Sequence, residues 1–180
     1  MEHVKRINRE LAYTGSILKM YKDTIEMPDG KTAIWDFIEH KGAAAVVPVL
    51  PDGRIIMVRQ YRNALDRMTL EIPAGARDFK EEPTRDCAAR EVEEETGYAA
   101  GKLELLITLR TAIAYCDELI DVYVATDLVK TEQHLDEGEY IQIEYYTLEQ
   151  LQTMIFDGTI QDAKTVAALM SYAIWKNQQT

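Results

Sequence analysis

Four glutamates fall within five consecutive positions of the stretch "AAREVEEETGY", Ala88 to Tyr98: Glu91, Glu93, Glu94 and Glu95. Ala88, Ala89 and Val92 beside them are apolar. On a helix, at roughly 100° per residue, Glu91 and Glu95 lie within about 40° of each other. Glu94 sits about 60° to the other side of Glu91, and Glu93 points away. Like charges at these spacings cost about 0.2–0.5 kcal/mol per pair, and the macrodipole disfavours anions in the C-terminal half of a helix. One reading is a solvated acidic face, which suits Glu93. For the other three, the chemistry that offsets the repulsion is binding of a hard divalent cation. Mg²⁺ takes oxygen ligands from a few carboxylates together with substrate phosphates.

The rest of the chain makes that cation useful. Its 180 residues include 31 acidic and 20 basic ones, a formal net charge of -11. No basic run is present, so phosphate-tracking binding of nucleic acid is not expected. A chain this acidic that takes a phosphorylated ligand needs placed arginines or metal ions. No apolar run approaches the roughly 20 residues of a membrane span, and the polar start "MEHVKRINRE" has no signal-peptide core. Cys87 and Cys116 form no CxxC. They suggest neither a disulfide framework nor a zinc site, and suit a reducing cytoplasm, the expected location.

The elements that must position the glutamates are legible as hydrophobic runs and turns. Residues 16–27 and 31–40 read as strands around "PDGK", where Gly30 can take positive φ, and a second such turn, "PDGR", lies between "AAAVVPVL" and "IIMVRQY". "MTLEIPAG" reads as a strand ending at Gly75. Pro83 suits the first helical position of the glutamate helix, and Gly97 its left-handed end. Strands are then expected at "LELLITLR", "LIDVYVATDL" and "EYIQIEYY". Helices follow over 148–156 and 163–176, the second capped by Asp162. The pattern is α/β with a mixed sheet. It divides into a small β-rich extension over 1–42 and one compact domain over 43–180.

The glutamate stretch resembles the Nudix box, G-x5-E-x7-R-E-U-x-E-E-x-G-U, with U a bulky apolar residue. Arg90, Glu91, Val92, Glu94, Glu95, Gly97 and Tyr98 match in order, and Glu82 stands at the right distance from Arg90. Gly75 matches the opening glycine, with one extra residue before Glu82, which a loop accommodates more readily than a helix. The resemblance implies the Nudix fold, an α/β/α sandwich with a mixed sheet, and implies a role for each matching position. Glu91, Glu94 and Glu95 would be metal ligands, with the Ala74 carbonyl a further one. Arg90 would hold the glutamates through salt bridges, and Glu82 would be an outer ligand or a partner of Arg90. The metal implied is Mg²⁺, with Mn²⁺ as the alternative.

Further segments, "MPDGKTAIWDFIEH", "VRQYR", "LEIPAG", "LDEGEYIQIEYY" and "DGTIQDAKTVAAL", are similar to the ADP-ribose pyrophosphatase branch over nearly the whole chain. That branch forms two-fold dimers with swapped N-terminal strands and shared active sites. The resemblance implies Trp35 stacked on adenine, Asp36 accepting from the base, and Arg62 on the phosphates. Trp35 reads equally as a core or dimer-interface residue, Arg62 also as an exposed strand end, and His40 carries no assignment. A general base is expected on the loop "LDEGEY", with Glu139 first and Glu137 in reserve; the alternative for both is a solvated turn charge. The branch usually carries a proline about fifteen residues after the box, where "TAIAYCDE" has Ile113 and Ala114. Asp117 and Glu118 keep the downstream pair, and Cys116 reads as a small buried residue. The expectation is metal-dependent hydrolysis of ADP-ribose to AMP and ribose 5-phosphate. The alternatives are another nucleoside diphosphate sugar such as GDP-mannose, and a non-catalytic ADP-ribose sensor.

Overall fold

The computed structural model describes residues 3–16 and 18–178. Ile17, inside the strand expected from Ser16, lies outside the described residues, as do positions 1, 2, 179 and 180 of the expected domain spans. The first three strands, β1 (Lys5–Thr14), β2 (Lys19–Glu26) and β3 (Thr32–Glu39), form an antiparallel sheet in that order. β1 was not foreseen, because its sequence does not alternate and it is exposed along almost its whole length. What fixes it is a side-chain clamp. Arg9 donates to both oxygens of Asp23, and its guanidinium lies 3.7 Å from the ring centre of Phe37.

The body holds two larger sheets. In the first, β4 (Ala43–Pro48) is central and pairs parallel with β10 (Leu119–Thr126) and antiparallel with β7 (Ala74–Ala76). β9 (Lys102–Arg110) pairs antiparallel with β10 and completes the order β7-β4-β10-β9. The second sheet runs β12 (Ile141–Tyr146), β5 (Ile55–Arg62), β6 (Arg67–Glu71), all antiparallel. A short pair, β8 (Tyr98–Ala99) with β11 (Val129–Lys130), flanks the helix α1 (Thr84–Thr96). Two helices close the chain, α2 (Leu148–Phe156) and α3 (Ala163–Gln178).

The period of two along β4 decides which helix packs where. Ala44 and Val46 join Cys87, Ala88 and Val92 of α1 in one apolar cluster. Ala43, Ala45 and Val47 face the other way, into a cluster with Leu151 of α2 and Ala168, Leu169 and Tyr172 of α3. β10 splits likewise, Tyr123 and Ala125 to the first side and Ile120, Val122 and Val124 to the second. Helices therefore cover both faces of a mixed sheet, the expected α/β/α arrangement. Val92, fully buried, contributes roughly 1.5–3 kcal/mol to holding α1 in place.

Two local expectations are corrected. Pro83 is the residue flanking α1 and not its first helical residue: its ψ of 130 is extended, and the helix begins at Thr84. "MTLEIPAG" is not one strand, since β6 ends at Glu71 and β7 starts at Ala74 in a different sheet. Pro73 has no N–H to donate to a ladder, and the chain changes sheets across it. At the other end of α1 Gly97 has φ 68 and donates to Glu93 O, as a left-handed cap should. Among the described residues no helix is long and apolar enough to cross a membrane.

Candidate active site

α1 turns its glutamate stripe toward β7. Glu91 and Glu95 are buried, at 9% and 5% exposure, while Glu94 and Glu93 are half-buried. The fit against β7 is close: a Cβ built on Gly75 would lie 2.2 Å from the Glu91 carboxylate, so only glycine allows the approach. One residue earlier the Ala74 N–H donates to Glu95 Oε2 at 3.0 Å. The "PAG" turn thus touches both carboxylates with backbone alone.

Arg90 organises the stripe from its outer side. Its Nη1 donates to Glu91 at 2.7 Å and to Glu94 at 3.1 Å, and its Nη2 donates to Ala76 O and lies 3.5 Å from Glu82. Burial works against the charge on Arg90, yet Glu91, Cys87 and Glu94 together outweigh it and the guanidinium pKa is raised. Glu82 is itself buried and accepts from the Asp78 N–H at 2.7 Å. Its carbonyl accepts from Arg77. It therefore closes the loop that carries the extra residue and serves as a partner of Arg90. Cys87, packed beside Arg90 and Gly75, has its thiol pushed up to about 12 by burial.

The two buried carboxylates lack enough countercharge. Burial, opposed by Arg90, pushes Glu91 up to about 7. Burial and the neighbouring Glu91 push Glu95 up to about 8. Glu139 adds its charge to both. The loop that carries Glu139 is tied down against the end of α1. His134 N donates to Glu94 O, Thr131 N to Gly97 O, and the Gln133 side chain to Glu95 O. Glu139 and Glu137 are both exposed on it.

These residues fit a hard divalent cation. The donor set is all oxygen, and neutralising it requires positive charge beyond Arg90. No group of three or more His, Cys, Asp or Glu side chains among the described residues forms a ready cage. A divalent cation there would need ligands beyond these side chains, such as backbone carbonyls and substrate phosphates.

Alongside Ala74 and Gly75 opens a cavity of about 690 Å³, lined also by Arg62, Glu71, Glu118 and Lys164. That size accommodates a small-molecule ligand. Arg62 reaches it, but Nε and Nη2 donate to Glu71 at 2.8 and 2.7 Å. A guanidinium has five N–H donors, so this pairing leaves others for a ligand. Glu71, 2% exposed, also accepts from Thr69 and Lys164. Burial alone would raise it, but Arg62 and Lys164 pull it down to about 2. Glu71 and Lys164 carry no sequence signal as a pair, being 93 positions apart. The hint available was a glutamate just before "IPAG" and a lysine just inside a capped helix.

Trp35 and Asp36 stand apart. They lie on β3 opposite Asp23 and Lys22, Trp35 is 46% exposed, and neither is among the described residues lining the cavity. The Asp117–Glu118 pair meets His40: Asp117 accepts from its backbone N–H at 2.9 Å, and Glu118 lies 3.2 Å from its Nδ1. Cys116 is half-buried, less enclosed than expected.

Residues 39–169 match the family model for the NUDIX domain. The chain is 37% identical to an ADP-ribose pyrophosphatase of Bacillus subtilis, over 92% of this chain and 90% of that one. It is 39% identical to a methanol dehydrogenase activator of Bacillus methanolicus, over the same shares. A crystal structure of an ADP compounds hydrolase superposes with a TM-score of 0.88 at 23% identity, covering 99% of this chain and 97% of the other.

Proposed function

The chain belongs to the Nudix family as a hydrolase, and from that premise we propose that it cleaves the diphosphate of ADP-ribose, using Mg²⁺ or Mn²⁺, to AMP and ribose 5-phosphate. The observation that carries this reading is the pair of buried, under-compensated carboxylates, Glu91 and Glu95, packed behind Gly75 and Ala74, which themselves line the cavity. Similarity to an ADP-ribose pyrophosphatase over nearly the whole chain supports the choice of substrate.

Glu91, Glu94 and Glu95 would hold the metal, with the Ala74 carbonyl as a further ligand. When bound, the cation neutralises diphosphate charge and stabilises charge developing in phosphoryl transfer. Arg90 keeps Glu91 and Glu94 at a fixed spacing, and Glu82 braces Arg90. Arg62 directs donors at the phosphates from the cavity wall. Glu139 takes a proton from the attacking water, with Glu137 in reserve, and the tethers of its loop to α1 keep it beside the stripe. Trp35 would stack on adenine and Asp36 accept from the base in a two-fold dimer with swapped N-terminal strands. Those residues would then serve the cavity of the partner. The exposed Ile7, Leu11 and Tyr13 of β1 and Ile34 of β3 provide apolar surface for such a dimer. The test of substrate is a comparison of kcat/KM for ADP-ribose and GDP-mannose. A preference for GDP-mannose would overturn the assignment of the base site.

A further inference from the structure

Two residues of the first turn of α3, Lys164 and Thr165, grip the "EIPAG" segment, and Asp162 just before the helix holds both. Asp162 caps the helix, its Oδ2 accepting from the Thr165 N–H at 2.9 Å and from Thr165 Oγ1 at 2.6 Å. With its proton committed to Asp162, Thr165 Oγ1 accepts the buried Ile72 N–H at 3.1 Å. Lys164 donates to Asp162 and to Glu71, the residue before Ile72. Thr165 is fully buried, and the Lys164 side chain is only 12% exposed.

The segment then runs through Pro73, whose ring fixes φ and restricts Ile72 before it. The Pro73 carbonyl accepts from Val46 N at 2.9 Å. Ala74 follows, with its N–H on Glu95 Oε2. A shift at Ile72 therefore has little backbone freedom to dissipate in before it reaches the Glu95 carboxylate.

We infer that Thr165 and Lys164 are positioning residues for the metal site: they hold Ile72 and Glu71 so that Ala74 fixes the orientation of Glu95. The inference rests on the metal-dependent reading above. Partners behind metal ligands commonly change metal affinity about 10–100-fold when removed, although they touch neither metal nor substrate.

The experiment is Mn²⁺ titration of the full chain by electron paramagnetic resonance, with circular dichroism and Tm on each variant, and kcat and KM measured separately. Thr165→Val removes the acceptor for Ile72 N–H at nearly constant shape. It is expected to weaken Mn²⁺ binding about tenfold or more and to lower kcat more than it raises KM. Thr165→Ser, which keeps the hydroxyl, restores both. Met154→Ala, on α2, lowers Tm without moving Mn²⁺ affinity, which separates positioning from general loosening.

Should Thr165→Val not fold, Lys164→Met decides the matter. By field alone, losing a cation would tighten Mn²⁺, whereas loss of the clamp weakens it. A folded Thr165→Val with the affinity of the wild type overturns the inference, as does tighter Mn²⁺ binding in Lys164→Met. A wild-type chain that binds no Mn²⁺ instead overturns the metal-dependent reading and the clamp with it.

Discussion

A methyl group added at position 75 would press directly on the proposed metal site. Gly75→Ala would bring Cβ within 2.2 Å of the Glu91 carboxylate, the far end of a flexible side chain. The carboxylate swings away and the fold stays. The expected outcome is a small change in Tm by calorimetry, with Mn²⁺ binding weakened and turnover lost. If Glu91 and Glu95 hold the metal, its binding depends on pH. They are pushed up to about 7 and 8, so below pH 7 the metal must displace protons and above pH 8 it need not. The stabilisation by a fixed Mg²⁺ concentration, read as the rise in Tm, is therefore expected to grow between pH 6 and pH 8.5. A rise that is equal at both ends would contradict the assignment of these carboxylates.

The load-carrying junction between elements is Glu71, where β6, β5 and the start of α3 meet through Arg62 and Lys164. Its folded value of about 2 lies below the ordinary glutamate value of 4.5. The stability it contributes is therefore fully present above pH 4.5 and is lost as pH falls through 2. A shift of that size corresponds to on the order of 3 kcal/mol at neutral pH. The gap in unfolding free energy between the wild type and Glu71→Gln, measured by urea titration, is expected to shrink steadily from pH 5 to pH 2. Sequence made the elements around this junction readable only where a period or a turn residue marked them. α1, its Gly97 stop, the buried runs of β4 and β5, and α2 stand where their patterns place them. β1 was invisible because its exposed sequence carries no alternation, and what holds it is pairing to β2 and Arg9 on Asp23, a contact across 14 positions. The break at Pro73 looked like continuous strand because Met68, Leu70 and Ile72 alternate up to it. Of the site, the glutamate stripe and Arg90 were legible as a motif. The Glu71–Lys164–Thr165 clamp was not, since only tertiary pairing brings residues 71 and 164 together.

At the scale of the whole molecule, an acidic chain carries a site proposed to accept a polyanion, and Trp35 of its N-terminal sheet is not among the described residues lining the cavity it is proposed to serve. If a second copy supplies Trp35, then breaking the dimer raises KM for ADP-ribose. Leu11→Asp on β1, half exposed in one chain, is expected to give a monomer by analytical ultracentrifugation. It should also raise KM at least about fivefold, since a stacked base is worth about 1–3 kcal/mol. A monomeric variant with unchanged KM would return Trp35 to a purely structural role. The most direct test of the central claim is product analysis of the purified chain incubated with ADP-ribose, with and without Mg²⁺, beside Glu95→Gln. AMP and ribose 5-phosphate are expected with Mg²⁺ only, with a loss of more than about 100-fold in the variant, beyond what partners behind a ligand cost. Intact ADP-ribose with folded, metal-loaded protein would contradict that claim.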